Sequence, residues 1–142
     1  MQTDPHESIA FHCNITLKVF LGALGEKLKG TGISPSQFLA LANLTSFGPI
    51  SQSELAARLA ITGASTTKLI ERMERDEWVR RKHDPKDRRV KLVIPTEKAL
   101  EIWRESDQIR KELLAQAYQG INPEELEIVK RVLKDIRVNL NG

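Results

Sequence analysis

Apolar residues at Ile9, Cys13, Leu17, Phe20, Leu24 and Leu28 recur every three or four positions, which predicts a long first helix with one apolar face. Gly30 and Gly32 end it. Ser34-Pro35-Ser36-Gln37 then combines an N-cap serine, proline at the first helical position and glutamine three residues after the serine, a capping box for a second helix whose core side is Phe38, Leu41 and Leu44. Gly48-Pro49 stops that helix. Ser51-Gln52-Ser53-Glu54 is a second capping box, and Leu55, Ala56 and Leu59 supply the buried side of a short helix behind it. After a break at Thr62-Gly63, Thr66, Leu69, Ile70 and Met73 fall on one helical face, with Ser65, Thr67, Lys68, Arg72 and Arg75 opposite.

Beyond residue 78 the period changes from helical to alternating. Val79, Arg81 and His83 interleave with Arg80 and Lys82. Asp84-Pro85-Lys86-Asp87 supplies turn residues, and Val90, Leu92 and Ile94 interleave with Lys91 and Val93. This predicts a two-stranded β-hairpin, with no Asn-Gly or Asp-Gly pair to set its register. Pro95-Thr96 opens a long helix striped by Ala99, Trp103, Ser106, Ile109, Leu113 and Ala117 to about Gln119, closed by Gly120. Asn122-Pro123 caps a last helix striped by Leu126, Val129, Leu133, Ile136 and Leu140. The expected fold is mainly α: a winged helix-turn-helix with a two-stranded β-hairpin wing, flanked by N- and C-terminal dimerisation helices. Residues 1–142 form one domain in this reading, with 34–96 as the winged core and 1–33 and 97–142 contributing to dimerisation. The striped end helices carry more apolar surface than so small a core can cover, so a second copy of the chain is the expected partner.

Charge gives this architecture a direction. The chain carries +3 overall, yet residues 80–91, RRKHDPKDRRVK, hold seven Lys/Arg and two Asp, so the rest of the molecule is mildly acidic. A basic device on an acidic body points to a nucleic-acid contact. A DNA-packaging protein that binds any duplex by charge is the alternative, and basicity confined to one segment disfavours it. A winged domain that binds protein partners is another. Catalysis is disfavoured, because there is no phosphate-binding glycine loop and no recognisable nucleophile, base and orienter. No cofactor is expected. His83 has no second ligand at a useful spacing, and the lone Cys13 excludes an intramolecular disulfide and suggests a reducing compartment. The apolar run 19–25 is far shorter than the roughly 20 residues of a membrane span. Asp4, His6 and Glu7 precede it where a secretion signal would be positive, so a cytoplasmic location without a membrane partner is expected.

The segment from Leu55 to Ala99 resembles the MarR family of bacterial and archaeal transcriptional regulators. The matching parts are Leu55-Ala56 and Leu59, Leu69 with Arg72 and Glu74, Val79-Arg80-Arg81, Asp84-Pro85-Lys86-Asp87-Arg88-Arg89, and Thr96 at the head of the long helix. The end helices match by pattern alone. Glu77-Trp78 stand where glycine and an aliphatic residue are common, Pro95 replaces a frequent leucine, and Ala99 a frequent glycine. The Glu77 departure leaves open whether the preceding helix can end in a left-handed residue.

The resemblance implies a dimeric, sequence-specific regulator of double-stranded DNA, a repressor released by a small aromatic or anionic effector, acting on a pseudo-palindromic operator. Helix 63–76 would enter the major groove, which is about 12 Å wide and presents a distinct donor and acceptor pattern for each base pair. Thr62, Ser65, Thr67 and Lys68 would offer donors near its N-terminus, Gly63 and Ala64 would admit close approach of the backbone, and Arg72 would fork onto guanine or phosphate. In the wing, 84–89, Asp87 would hold the Arg89 guanidinium for the minor groove while Lys86 and Arg88 contact phosphate. At least one of the strand cations is expected to be structural. Some family members sense peroxide through an N-terminal cysteine, but Cys13 lies about two turns too early, and a buried apolar thiol is the expectation for it. Trp103 is either core or the wall of an effector cleft.

Overall fold

The computed structural model describes residues 8–59 and 63–141. Its elements in chain order are α1 (Ile9–Lys27), α2 (Pro35–Phe47), β1 (Ile50–Ser51), α3 (Gln52–Leu59), α4 (Gly63–Arg75), β2 (Val79–Asp84), β3 (Asp87–Pro95), α5 (Glu97–Ala117) and α6 (Pro123–Asn141). The chain divides into two compact units, residues 1–110 and 111–142. The boundary falls inside α5, later than residue 97, because Ala99, Ile102 and Trp103 of its first turns pack into the core of the first unit.

Local chemistry accounts for most of the element ends. Ser34 Oγ accepts from Gln37 N–H at 3.1 Å while Gln37 Oε1 accepts from Ser34 N–H at 2.9 Å, the reciprocal capping box read from the sequence. Ser51 Oγ accepts from Glu54 N–H at 3.0 Å, and the Glu54 carboxylate pairs with Arg58 one turn on. Asn122 Oδ1 accepts from Glu124 N–H at 2.9 Å ahead of α6. Gly30, Gly48 and Gly120 take positive φ at the helix ends that the sequence marked.

The core of the first unit gathers Ala40, Leu41 and Leu44 from α2, Leu55 from α3, Leu69, Ile70 and Met73 from α4, Val79 and Val93 from the sheet, Trp78, and Ala99 from α5. Trp103 lies against it, its ring centroid 5.0 Å from that of buried Phe38, which makes this tryptophan part of the packing. Three strands form the sheet in the order β1-β3-β2, all antiparallel. The hairpin expected from the sequence is therefore joined by a third strand: Ile50 pairs with Val93 and Ser51 with Leu92, so Ser51 serves as strand residue and helix cap together. Two residues are too few to show an alternating pattern, which is why this strand was invisible in the sequence.

Cys13 is exposed, which corrects the expectation of a buried thiol. Burial along α1 begins only at Leu24 and Leu28. Ile9 and Leu17 of the same stripe stand 57% and 50% exposed, so the periodicity marked an apolar face without telling which part of it this chain covers.

The end of α4 also departs from the simplest expectation. Glu77 adopts φ 65°, Trp78 N–H donates to Met73 C=O at 2.8 Å and Glu77 N–H donates to Glu74 C=O at 3.0 Å, the paired bonds of a Schellman cap. A left-handed non-glycine residue costs about 1 kcal/mol, and here the surroundings enforce it. Thr96 Oγ1 donates to Glu77 C=O at 2.7 Å and accepts from Ala99 N–H at 3.2 Å, and Thr96 N–H donates to Trp78 C=O at 3.0 Å. Lys98 Nζ donates to Asp76 C=O at 3.0 Å. One threonine thus caps α5 and clamps the end of α4. Glu77→Gly should raise stability by about 0.5 to 1 kcal/mol, relief of strain exceeding the added flexibility of the unfolded chain. Urea unfolding would show a higher midpoint at unchanged slope; an unchanged or lower midpoint would contradict the strain assigned to Glu77.

Candidate DNA interface

The buried face of α4 is Thr66, Leu69, Ile70 and Met73. At 3.6 residues per turn the opposite crest carries Ala64, Lys68, Glu71 and Arg75, with Ser65 and Arg72 on one flank and Thr67 on the other. Gly63, Ala64, Ser65, Lys68 and Arg72 are exposed. Thr62 lies outside the described residues. A Cβ added at Gly63 would meet nothing within 4 Å among them, so packing does not demand glycine there.

Thr67 behaves differently from its neighbours. Its Oγ1 donates to Gly63 C=O at 3.0 Å and accepts from Gln52 Nε2 at 2.9 Å, so its one hydrogen is committed within the protein and the side chain ties the start of α4 to the start of α3. Gln52 is a positioning residue that the sequence reading passed over as part of a capping box. Nothing local marks it, because its partner is fifteen residues away.

On the flank carrying Ser65 and Arg72, a groove of about 440 Å³ is lined by Ser34 and Ser36 of the α2 N-terminus and by Ser65, Lys68, Leu69 and Arg72 of α4. Two cations and serine hydroxyls suit a phosphate. Ser34 and Ser36 were legible only as a cap; the approach of α2 to α4 gives them a second setting. On the other flank, a cleft between α4 and the wing is lined by Gln52, Thr67, Glu71, Arg81, Arg89 and Lys91.

The wing is the β2–β3 hairpin. Val79 faces Pro95, Arg81 faces Val93 and His83 faces Lys91, after which the register slips so that Asp84 faces Asp87. The slip places Arg88 and Arg89 in an irregular stretch beside a tight Pro85-Lys86 turn, where Asp84 Oδ1 accepts from Lys86 N–H at 2.8 Å. Bulged backbone re-aims side chains, and here the re-aimed ones are the arginines. Lys86 and Arg88 are exposed.

Asp87 and Arg89 form a fork. Arg89 Nε donates to Asp87 Oδ1 at 3.1 Å, Arg89 Nη2 donates to Oδ2 at 3.3 Å, and the Arg89 backbone N–H donates to Oδ1 at 3.1 Å. The Arg89 side chain remains 91% exposed, so the carboxylate orients the guanidinium without covering it. The side-chain bond from Arg89, then its backbone bond, hold the Asp87 carboxyl below its usual range. Arg81 plays another part: paired with Val93 on the buried side of the hairpin and 23% exposed, it donates through Nη2 to Glu74 Oε1 at 2.9 Å and fastens the wing to α4. It is the structural member among the strand cations.

Among the described residues no group of three or more His, Cys, Asp or Glu could hold a metal ion, and no helix is long and apolar enough to cross a membrane. A polar helix crest beside a cationic hairpin, both fixed to one core, defines the class of winged helix-turn-helix DNA-binding proteins. The MarR family model matches residues 33–91. Bacillus subtilis YsmB, an uncharacterized HTH-type transcriptional regulator, is 31% identical over 79% of this chain and 77% of its own. The Bacillus subtilis repressor MdtR is 29% identical over 71% and 65% of the two chains. CouR of Rhodococcus jostii, solved with p-coumaroyl-CoA bound, superposes with a TM-score of 0.80 at 21% identity, covering 95% of each chain. The chain belongs to the MarR family and is a DNA-binding transcriptional regulator, not an enzyme.

Proposed function

We propose that the protein is a homodimeric repressor that reads a pseudo-palindromic operator with α4 in the major groove and the wing in the flanking minor groove, and that a small aromatic or anionic ligand releases it. The observation that carries this reading is the Asp87–Arg89 fork. It holds an exposed guanidinium at the tip of a hairpin fastened to α4 through Arg81 and Glu74. A planar, weakly hydrated cation suits the narrow, negative minor groove.

In this scheme Gly63, Ala64 and Ser65 meet base edges near the α4 N-terminus, as does Thr62. Lys68 and Arg72 bind phosphate in the groove beside Ser34 and Ser36, and Lys86 and Arg88 bind phosphate beyond the wing. Thr67, its hydroxyl hydrogen already used, contributes its methyl group and its hold on α3. Dimerisation is supported by apolar surface left exposed on both end helices, Ile9, Ile15, Leu17 and Val19 on α1 and Ile128, Val129, Val132 and Ile136 on α6. Repression is supported by MdtR, and an aromatic, anionic effector by the p-coumaroyl-CoA of CouR. Such a regulator works where the chromosome is, in the cytoplasm.

The test is selection of bound sequences from a random duplex pool, followed by affinity measurement on the winner and on random duplex at one stated salt concentration. A palindromic winner with half-sites about 34 Å apart, bound about a thousandfold or more tighter than random duplex, is expected. A ratio near one would favour non-specific packaging, and no binding to any duplex would leave the winged domain as a protein-binding module.

A further inference from the structure

Glu71 is misplaced for a protein whose surface only attracts phosphate. It lies on the crest of α4, about 150° around the helix axis from the mean direction of the four buried residues. It is exposed, and it makes no ion pair or hydrogen bond among the described residues. Some of the cations at hand are engaged elsewhere: of those lining the same cleft, Arg81 is paired with Glu74 and Arg89 with Asp87, while on its own helix Arg75 lies 3.5 Å from Asp76. Lys91 also lines the cleft and Lys68 shares the crest, yet neither closes an ion pair with Glu71 among the described residues. A bare carboxylate on a surface that approaches a polyanion repels every phosphate it passes, so it weakens binding to all duplexes alike unless some site repays it.

The major groove offers a carboxylate few partners. Guanine presents two acceptors there, thymine an acceptor and a methyl group, and adenine places its amino donor beside the N7 acceptor. Cytosine presents its N4 amino group without an acceptor on the same base edge.

We propose that Glu71 is a specificity-determining residue whose carboxylate accepts a hydrogen bond from the N4 amino group of a cytosine in each half-site. The inference rests on the proposed placement of α4 in the major groove. Glu71 then acts twice. At the right cytosine it gains a charge-assisted hydrogen bond, and elsewhere its charge penalises close approach to phosphate, so both effects widen the gap between operator and random DNA.

Selection from a random duplex pool with wild type, Glu71→Gln and Glu71→Ala tests this, with urea unfolding of all three alongside. Wild type should enrich a site with one strongly preferred cytosine per half-site. Glu71→Gln should shift that position toward adenine, whose N6 and N7 suit an amide, and Glu71→Ala should lose preference there by about tenfold while the other positions keep theirs. Both variants should bind random duplex roughly threefold or more tightly at low salt, having lost a negative charge. Unfolding midpoints should stay close to wild type, since nothing in the fold leans on Glu71. Unchanged base preferences in both variants, even with tighter binding to all DNA, would overturn the proposal and leave Glu71 a solvated charge. A wild type that enriches no sequence would instead defeat the operator-reading function itself.

Discussion

Arg89→Ala should reduce operator affinity about tenfold per wing, hence about a hundredfold for the two wings of a dimer, if each guanidinium makes one minor-groove contact of ordinary strength. The slope of log affinity against log salt should shrink by about 0.9 for each arginine lost. Folding should be untouched, because the side chain is almost wholly exposed and its one ion pair is a surface pair. Asp87→Ala separates orientation from charge. It leaves the guanidinium in place but unfastened, so operator affinity should fall by less while the salt slope is kept, and binding to random duplex should hold or rise. Titration of binding against salt for the three proteins checks both statements. A full salt slope in Arg89→Ala would remove this residue from the DNA contact.

The fork also fixes a pH dependence. The Asp87 carboxyl is lowered from an ordinary value of 3.8, so whatever the ionised pair contributes is fully present above that value and is lost only as pH falls through the depressed one. Operator binding should therefore show no Asp87 titration across the neutral range. A loss of binding centred near pH 6 would have to come from another group.

The second large effect concerns assembly. Along α6, Val129, Val132 and Ile136 stand exposed beside half-buried Leu126 and Leu133, and no residue of the helix is buried in the single chain. Full burial of one valine or isoleucine side chain contributes about 1.5 to 3 kcal/mol, so a stripe of this size can hold two copies together. Val132→Asp with Ile136→Asp should convert a dimer into a 16.1 kDa monomer by sedimentation, and so should truncation before Asn122. Operator affinity should then fall by roughly a hundredfold or more, since the two half-sites lose their tether. A monomer-sized intact protein at micromolar concentration, or a doubly substituted variant that stays dimeric, would refute this account of the end helices.

How much of this could be read before the structure depends on how far apart the cooperating atoms lie along the chain. Ser34 and Gln37 are three residues apart, and their capping box was legible in full. The Asp87–Arg89 fork spans two residues, and its resemblance to a family motif implied the pairing that the geometry displays. Thr96 was visible as the residue before a helix, but its clamp on Glu77 reaches across nineteen residues and left no local trace. Thr67 is the sharper case: its place on a polar helix face suggested a hydroxyl offered to DNA, whereas Gln52 and Gly63 occupy that hydroxyl. Glu71 bears no local mark either, because one acidic residue on a polar helix face looks the same in sequence whether it is solvated or meets a base.

The sequence by itself determined the order of the helices and the hairpin, the caps at Ser34, Ser51 and Asn122, and the basic tip of the wing, because caps, turns and periodicity are set by atoms within about one helical turn of each other. Only the tertiary structure decided that β1 joins the hairpin, that Arg81 serves Glu74 while Arg89 stays exposed, that Glu77 takes a left-handed turn without glycine, and that Cys13 and the first half of α1 lie open. Each of these depends on which distant segment arrives at a given face. Burial and charge pairing are settled by that arrival, and residue order alone does not specify it.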